Sequence, residues 1–292
     1  MPGTARQPPP TGTYVRPPHR LGGIVPTRTI SLPLAAAICS AALVLAGCSS
    51  TESQGKSGDV SLVEDGKLLN CTGLPYEPFE YKDKKTKKIV GFDIDLVDLV
   101  AKKLKVKQEV VDTPFEGIES GEVYTAGKCD LSAAGMTITP ERKEKFDFSA
   151  PYFEATQALV TKKGSGIDSL APLKGKKLGV QQDTTGQKYA RDKAKGATLI
   201  DYEDLGLMLT GLETGEVQAA INDNGVLYDW VKANPKYEVS TEFDTGEQYG
   251  IGLKKGNKEL RKVVNDVLSD AKADGTYDKI YKKWFGEEAN AQ

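Results

Sequence analysis

The chain has 292 residues, 39% of them hydrophobic, enough for one large core or two small ones and too many for general disorder. Its formal charge is −2, but residues 1–47 hold four arginines and no acid, so the chain's 39 bases fall to 35 in the remaining body, which faces 41 acids with a net −6; an acidic body without a basic cluster excludes an ordinary nucleic-acid binder. The single histidine, His19, lies in that same stretch, so a chain processed after it has no histidine for a Ser-His-Asp or Cys-His centre or a His-ligated zinc site.

The first element is an export segment. Residues 30–46 are mostly apolar and small, follow Arg28, and end in Leu45-Ala46-Gly47-Cys48. A positive residue, an apolar stretch and small residues before a cut describe a secretory signal. A membrane span is the competing reading. Pro33 and the polar Ser49-Ser50-Thr51-Glu52-Ser53 that follow at once argue against it, since a span needs about 20 apolar residues. Residues 45–48 resemble a bacterial lipobox, which implies lipidation of Cys48 as the new first residue. The leader ahead of this segment, with Pro8, Pro9, Pro10, Pro17 and Pro18, is longer than an ordinary signal start, and translation is expected to begin later, near Val25. Residues 48–59 are polar, contain Gly and Ser and lack apolar periodicity, which predicts a flexible tether.

From residue 67 onward strand-like and helix-like segments alternate. Residues 67–72 form a strand, and 93–104 a helix with Leu96, Val97, Val100, Ala101 and Leu104 on one face. Residues 107–111 and 129–134 form strands. Thr139-Pro140-Glu141 then starts a helix: threonine caps, proline suits the first turn, and glutamate suits the positive end of the dipole. A second series places strands at 155–161, 177–181, 198–201 and 217–222. Helices are expected from 184 to about 195, over 205–214 and over 225–233. A strand at 249–253 precedes Leu260, Val263, Val264, Val267, Leu268 and Ala271 at helical spacing. Such alternation predicts an α/β chain with mostly parallel sheets, whose ligands sit at the carboxyl ends of strands. Cys71 falls near the end of one strand and Cys129 at the start of another; that placement disfavours a disulfide, although an exported chain permits one.

An ordered set of blocks resembles the extracellular solute-binding proteins of family 3, which serve amino-acid ABC importers. The blocks are Leu74-Pro75-Tyr76-Glu77-Pro78-Phe79, Val90-Gly91-Phe92-Asp93-Ile94-Asp95-Leu96, Gly135-Met136-Thr137-Ile138-Thr139-Pro140-Glu141-Arg142, Phe146-Asp147-Phe148-Ser149, Gly179-Val180-Gln181 and Asp274-Gly275-Thr276-Tyr277. The match runs over residues 60–286. It implies a two-lobed periplasmic-binding-protein-like fold of type II: residues 60–153 plus 249–288 as lobe one, 158–243 as lobe two, and a two-strand hinge at 154–157 and 244–249.

An amino acid offers a carboxylate, an ammonium and a side chain. On the family pattern Arg142 takes the carboxylate through two charge-assisted bonds, which suits a planar guanidinium. Asp223 takes the ammonium; from local sequence alone it could equally cap the helix that follows. Thr137 and Thr185 supply hydroxyls, Thr185 at a helix start whose free N–H groups favour an anion. Gly135 lets backbone approach the ligand, and Tyr76 and Phe115 wall its side chain, although an aromatic beside proline is more often core. Gly73 stands where several members carry an acid that contacts the ligand side chain, and its absence weakens, without excluding, a lysine- or arginine-type ligand; Asp183, where glycine or serine is common, adds an acid near the site; and Glu116 and Glu119 fall in a slightly long segment that leaves them unplaced. The resemblance implies a lipid-anchored monomer on the outer face of the cell membrane that captures a polar L-amino acid by lobe closure and hands it to permease subunits. It implies no cofactor, metal or catalytic residue. Two alternatives stay open: a carboxylate-based dehydratase on the same fold, through Glu119 or Asp183, and a ligand-sensing co-receptor.

Overall fold

The computed structural model describes residues 55–57 and 60–286; the export signal over 1–47, Cys48 and the rest of the expected tether lie outside the described residues. Within the stretch expected to be a tether, β1 (Gly55–Ser57) instead pairs antiparallel with β2 (Val60–Leu62). Then come β3 (Lys67–Thr72), a small hairpin of β4 (Tyr81–Lys82) and β5 (Ile89–Val90), α1 (Phe92–Leu104) and β6 (Lys107–Asp112). Two short helices, α2 (Phe115–Glu119) and α3 (Glu122–Thr125), lead to β7 (Leu131–Ser132), α4 (Pro140–Lys145) and β8 (Asp147–Phe148). Helix α1 forms where the apolar spacing places it: Leu96, Val97, Val100, Ala101 and Leu104 are buried, and left-handed Lys105 ends it at φ 59°.

The long strand β9 (Phe153–Lys162) carries the chain into the second lobe. There follow β10 (Lys177–Gln181), α5 (Thr185–Lys193), β11 (Thr198–Tyr202), α6 (Leu205–Thr214), β12 (Ala219–Asp223) and α7 (Asn224–Ala233). The capping chemistry is local: Thr184 Oγ1 accepts from Gln187 N, and Asp204 Oδ1 from Leu207 N. The 13-residue strand β13 (Tyr237–Tyr249) returns the chain to the first lobe, which β14 (Gly252–Leu253), α8 (Lys258–Ala273) and α9 (Thr276–Phe285) complete. No helix among the described residues is long and apolar enough to cross a membrane.

One sheet has the order β6-β3-β7-β14-β8 and the other β11-β10-β12-β9-β13. The expectation of mostly parallel sheets holds with one exception in each: four strands run one way, and one runs against them, β14 in the first sheet and β9, the strand that enters the second lobe, in the other. β9 and β13 pair from Phe153↔Tyr249 to Lys162↔Tyr237, with a break in register between Phe243 and Glu247. Tyr249 also bridges Thr137 of the first lobe, so this two-strand ribbon belongs to both lobes. Its base is packed in aromatic rings: Phe79 meets Phe153 at 4.9 Å, Tyr249 at 5.3 Å and Phe285 at 5.3 Å between centroids.

The expectation for the cysteines needs correction. Cys71 and Cys129 are disulfide-bonded, with Cα atoms 5.8 Å apart. Cys129 does not open a strand. β7 starts two residues later, at Leu131, and the preceding turn is held back toward α3 by Lys128 N donating to Val123 O (2.9 Å). The turn tucks Cys129 into the buried cluster that contains Cys71.

Candidate functional site

The parallel strands β3 and β7 of one lobe and β10 and β12 of the other end facing a common cleft, and the residues just beyond those ends build the site. After β3 the chain reaches Tyr76, 8% exposed. Its hydroxyl donates across the cleft to Asn222 Oδ1 and Asp223 Oδ2, both at 2.9 Å. After β7 comes Gly135 at φ 50°, where an added Cβ would lie 2.5 Å from Tyr76 Cε1. Only glycine allows this approach of backbone to ring. Gly135 N donates to Asp93 Oδ2 at 2.9 Å.

Arg142 sits in the first turn of α4, set there by Thr139, whose Oγ1 accepts from Arg142 N (3.1 Å). The side chain is 4% exposed. Nη1 donates to Thr137 O at 2.9 Å, and Nη2 crosses the cleft to Asp183 O at 3.0 Å. The guanidinium lies 5.3 Å from the centroid of Phe115, and Nε is 3.9 Å from Glu119 Oε1. Burial lowers the pKa of Arg142, while the charges of Glu119, Asp223 and Glu247 oppose that shift. Glu119 is thus placed beside the arginine and also bonds Lys145 Nζ at 2.8 Å. Asp183, expected to add an acid to the site, contributes its carbonyl oxygen instead: its backbone is left-handed at φ 60°, and the residue is exposed.

From the other lobe, Thr185 is the first residue of α5 and Asp223 the last of β12. Asp223 is the residue before α7, but its side chain makes no capping bond there. Its carboxylate accepts from Tyr76, Tyr249 and Gln157 instead. Burial, then the charge of Glu247, pushes the Asp223 pKa up to about 7 against the pull of those donors.

Tyr76, Phe115, Gly135, Thr137, Arg142, Thr185 and Asp223 all line one cavity of about 20 Å³, together with Gly73, Glu80, Ala134, Gln181 and Thr184. That is room for about one water; the two lobes are in contact here. Thr137 and Thr185 were expected at the site, but Glu247, which joins them, and Gln157 were not. Glu247 Oε2 accepts from Thr137 Oγ1 and Thr185 Oγ1, each at 2.7 Å, and Oε1 from Gln157 Nε2 at 3.1 Å. One hinge carboxylate thereby joins a hydroxyl of each lobe. Gln157 is the lone amide in the run 155–160, whose other residues apart from Thr156 are apolar, and it is fully buried. Glu80, on the cavity wall, and Asp93 are both buried. Burial, then the charge of Asp93, holds Glu80 well above the usual range, and burial brings Asp93 to about 7.

Chemically, the arrangement sets a guanidinium and a helix start near carboxylates on opposing walls, with two aromatic rings between. It is suited to hold a small molecule that carries both charges. No metal-binding cluster occurs among the described residues.

Comparison with known proteins agrees. The model of the bacterial extracellular solute-binding proteins, family 3, matches residues 68–287. The ABC transporter glutamine-binding protein GlnH of Bacillus subtilis is 34% identical over 263 residues, covering 85% of this chain and 94% of that protein. An ancestral arginine-binding protein bound to arginine superposes with a TM-score of 0.71 at 45% identity, over 75% of this chain and 98% of that one. An ancestral amino acid-binding protein, a precursor of cyclohexadienyl dehydratase, superposes at 0.69 with 38% identity, over 75% and 95% of the two chains.

Proposed function

The chain belongs to the bacterial extracellular solute-binding proteins, family 3, and from that premise we propose that it captures a polar L-amino acid between its lobes and delivers it to the permease of an ABC importer, held at the outer membrane surface by acyl chains on Cys48. The observation that carries this reading is the convergence of Arg142 and Thr137 from one lobe with Asp223 and Thr185 from the other on a single cavity. In this reading Arg142 takes the ligand carboxylate and Asp223 the ammonium. The contacts that cross the cleft, Tyr76 to Asp223 and Arg142 to Asp183, part when the lobes open about β9 and β13. Closing on a ligand exchanges them for ligand bonds that reach both walls. Such bonds exist together only in the closed form, so binding shifts the population towards closure.

The direct test is a thermal-shift screen of the purified protein against the common amino acids, because a ligand that binds only the folded state raises the melting point by mass action. No response to any of them would end the amino-acid reading. Acyl anchoring is tested by labelling with palmitate: Cys48→Ser should lose label and membrane association. The superposition on a dehydratase precursor keeps an enzymatic reading in view. We propose that this chain binds without turnover; release of product from prephenate or arogenate would show otherwise.

A further inference from the structure

We infer that the captured amino acid is dibasic, with a second positive charge on its side chain, and that an acidic passage beside Gly73 receives that charge. This deepens the amino-acid reading above and rests on it. Two independent observations support it.

The first is the charge balance of the closed cleft. Arg142 is the one basic side chain lining the cavity among the described residues. Asp223 and Glu247 face it from the other side, 5% and 9% exposed, and neither forms an ion pair among the described residues. The partners of Glu247 are two hydroxyls and an amide, all neutral. A ligand with no net charge matches Arg142 with its carboxylate and Asp223 with its ammonium. It leaves the Glu247 carboxylate buried without a cation, an arrangement that proteins avoid. A ligand with net charge +1 restores the balance.

The second observation is the shape of the cleft. A further cavity, about 220 Å³, shares Gly73, Phe115 and Gln181 with the first. It is lined by Asp112 from one lobe and by Glu203 and Asp204 from the other, and by no base. None of the three acids forms an ion pair among the described residues; Asp204 uses one oxygen to cap α6. Asp112 is placed by β6, whose register sets it beside Thr72, the residue before Gly73. Gly73 contributes no side chain to the shared wall. A ligand held by Arg142 and Asp223 would extend its side chain past Phe115 towards these carboxylates.

Isothermal titration of the purified protein with L-arginine and L-citrulline tests the inference, because citrulline replaces the guanidinium with a neutral group of the same shape. Arginine should bind roughly ten-fold tighter or better at low salt, with a preference that shrinks as salt is added. In the variant Asp112→Asn/Glu203→Gln/Asp204→Asn, the arginine-to-citrulline ratio should fall by about five-fold or more. Asparagine at 204 keeps the helix cap. Equal affinities for the two ligands in the unaltered protein, or an unmoved ratio in the variant, would overturn the inference and leave amino-acid capture standing. A protein that binds none of the common amino acids would overturn the reading beneath it.

Discussion

Ligand affinity should rise with pH and level off above pH 7, because Asp223, the proposed ammonium partner, has its pKa raised to about 7. The group is fully buried, and burial together with the Glu247 charge raises its pKa to about 7. The ligand ammonium stays charged below about pH 8, and it pairs only with the ionised carboxylate. In the closed form the ionised fraction of a group of pKa about 7 falls from about 0.9 at pH 8 to about 0.01 at pH 5. Binding should therefore weaken by up to about 90-fold over that interval, or roughly 2.7 kcal/mol. The sign is fixed: binding favours the deprotonated form, so each ligand bound at pH 5–6 releases close to one proton. Calorimetry at pH 5, 6, 7 and 8, in two buffers of different ionisation enthalpy, reads both quantities. Asp223→Asn should bind weakly throughout and lose the slope. A flat affinity from pH 5 to 8 in the unaltered protein, or net proton uptake, would refute the assignment of Asp223 as the ammonium partner.

Arg142→Ala should weaken binding by at least about 2 kcal/mol, since a buried ligand carboxylate loses its charged donors; unchanged calorimetric affinity would remove Arg142 from the site. Gly135→Ala drives a Cβ against the ring of Tyr76 and strains a left-handed backbone, so both melting temperature and affinity should drop, by roughly 1 kcal/mol of stability or more. Stability of the ligand-free protein should show the opposite pH trend to binding. Asp93, raised to about 7 when folded against an ordinary value of 3.8, binds more protons in the folded state between those values. Its contribution is full below about 3.8 and is lost progressively up to about 7, by at most about 1.4 kcal/mol per pH unit. Urea midpoints at pH 5 and 7 measure the trend, and Asp93→Asn should make it shallower, leaving the shares of Asp223 and Glu80, whose pKa values are also raised by burial. The Cys71–Cys129 bridge closes a loop with a sequence separation of 58, for which chain entropy gives about 4 kcal/mol; Cys71→Ser/Cys129→Ser should lower the urea midpoint accordingly.

The parts of the fold that were legible in the sequence are those whose signal is local. The spacing of Leu96, Val97, Val100, Ala101 and Leu104 sufficed for α1, because one buried stripe defines an amphipathic helix. Thr139 and Pro140 marked the start of α4 through capping chemistry alone. Of β13 only residues 244–249 were expected, as the second hinge strand; residues 237–243 left no mark because they are half-buried or exposed, with polar Glu238, Ser240, Thr241 and Glu242 among them. It is held by pairing with β9 from far along the chain rather than by apolar content of its own. The disulfide failed for a similar reason: a turn that folds Cys129 back across the sheet face leaves no mark in strand periodicity. At the site, the resemblance supplied residues that follow strand ends. Glu247 and Gln157 lie on the strands connecting the lobes, and their roles depend on where two distant walls meet.

Those two residues bear on how the cleft discriminates. The polar groups proposed to meet the ligand already have protein partners in the closed form: the hydroxyls of Thr137 and Thr185 bond Glu247, and Asp223 accepts from two tyrosines and an amide. Affinity is then the difference between ligand bonds and these internal ones, which keeps it moderate even where the individual bonds are charge-assisted. The Glu247 carboxylate sits on the two hydroxyls that a ligand's polar end would seek, so a second anion brought there competes with it. A cation placed nearby is instead drawn by Glu247 and Asp223 together. The hinge carboxylate ties one lobe to the other through the Thr137 and Thr185 hydroxyls, and on the proposed reading it biases the closed cleft towards ligands that bring more positive charge than negative.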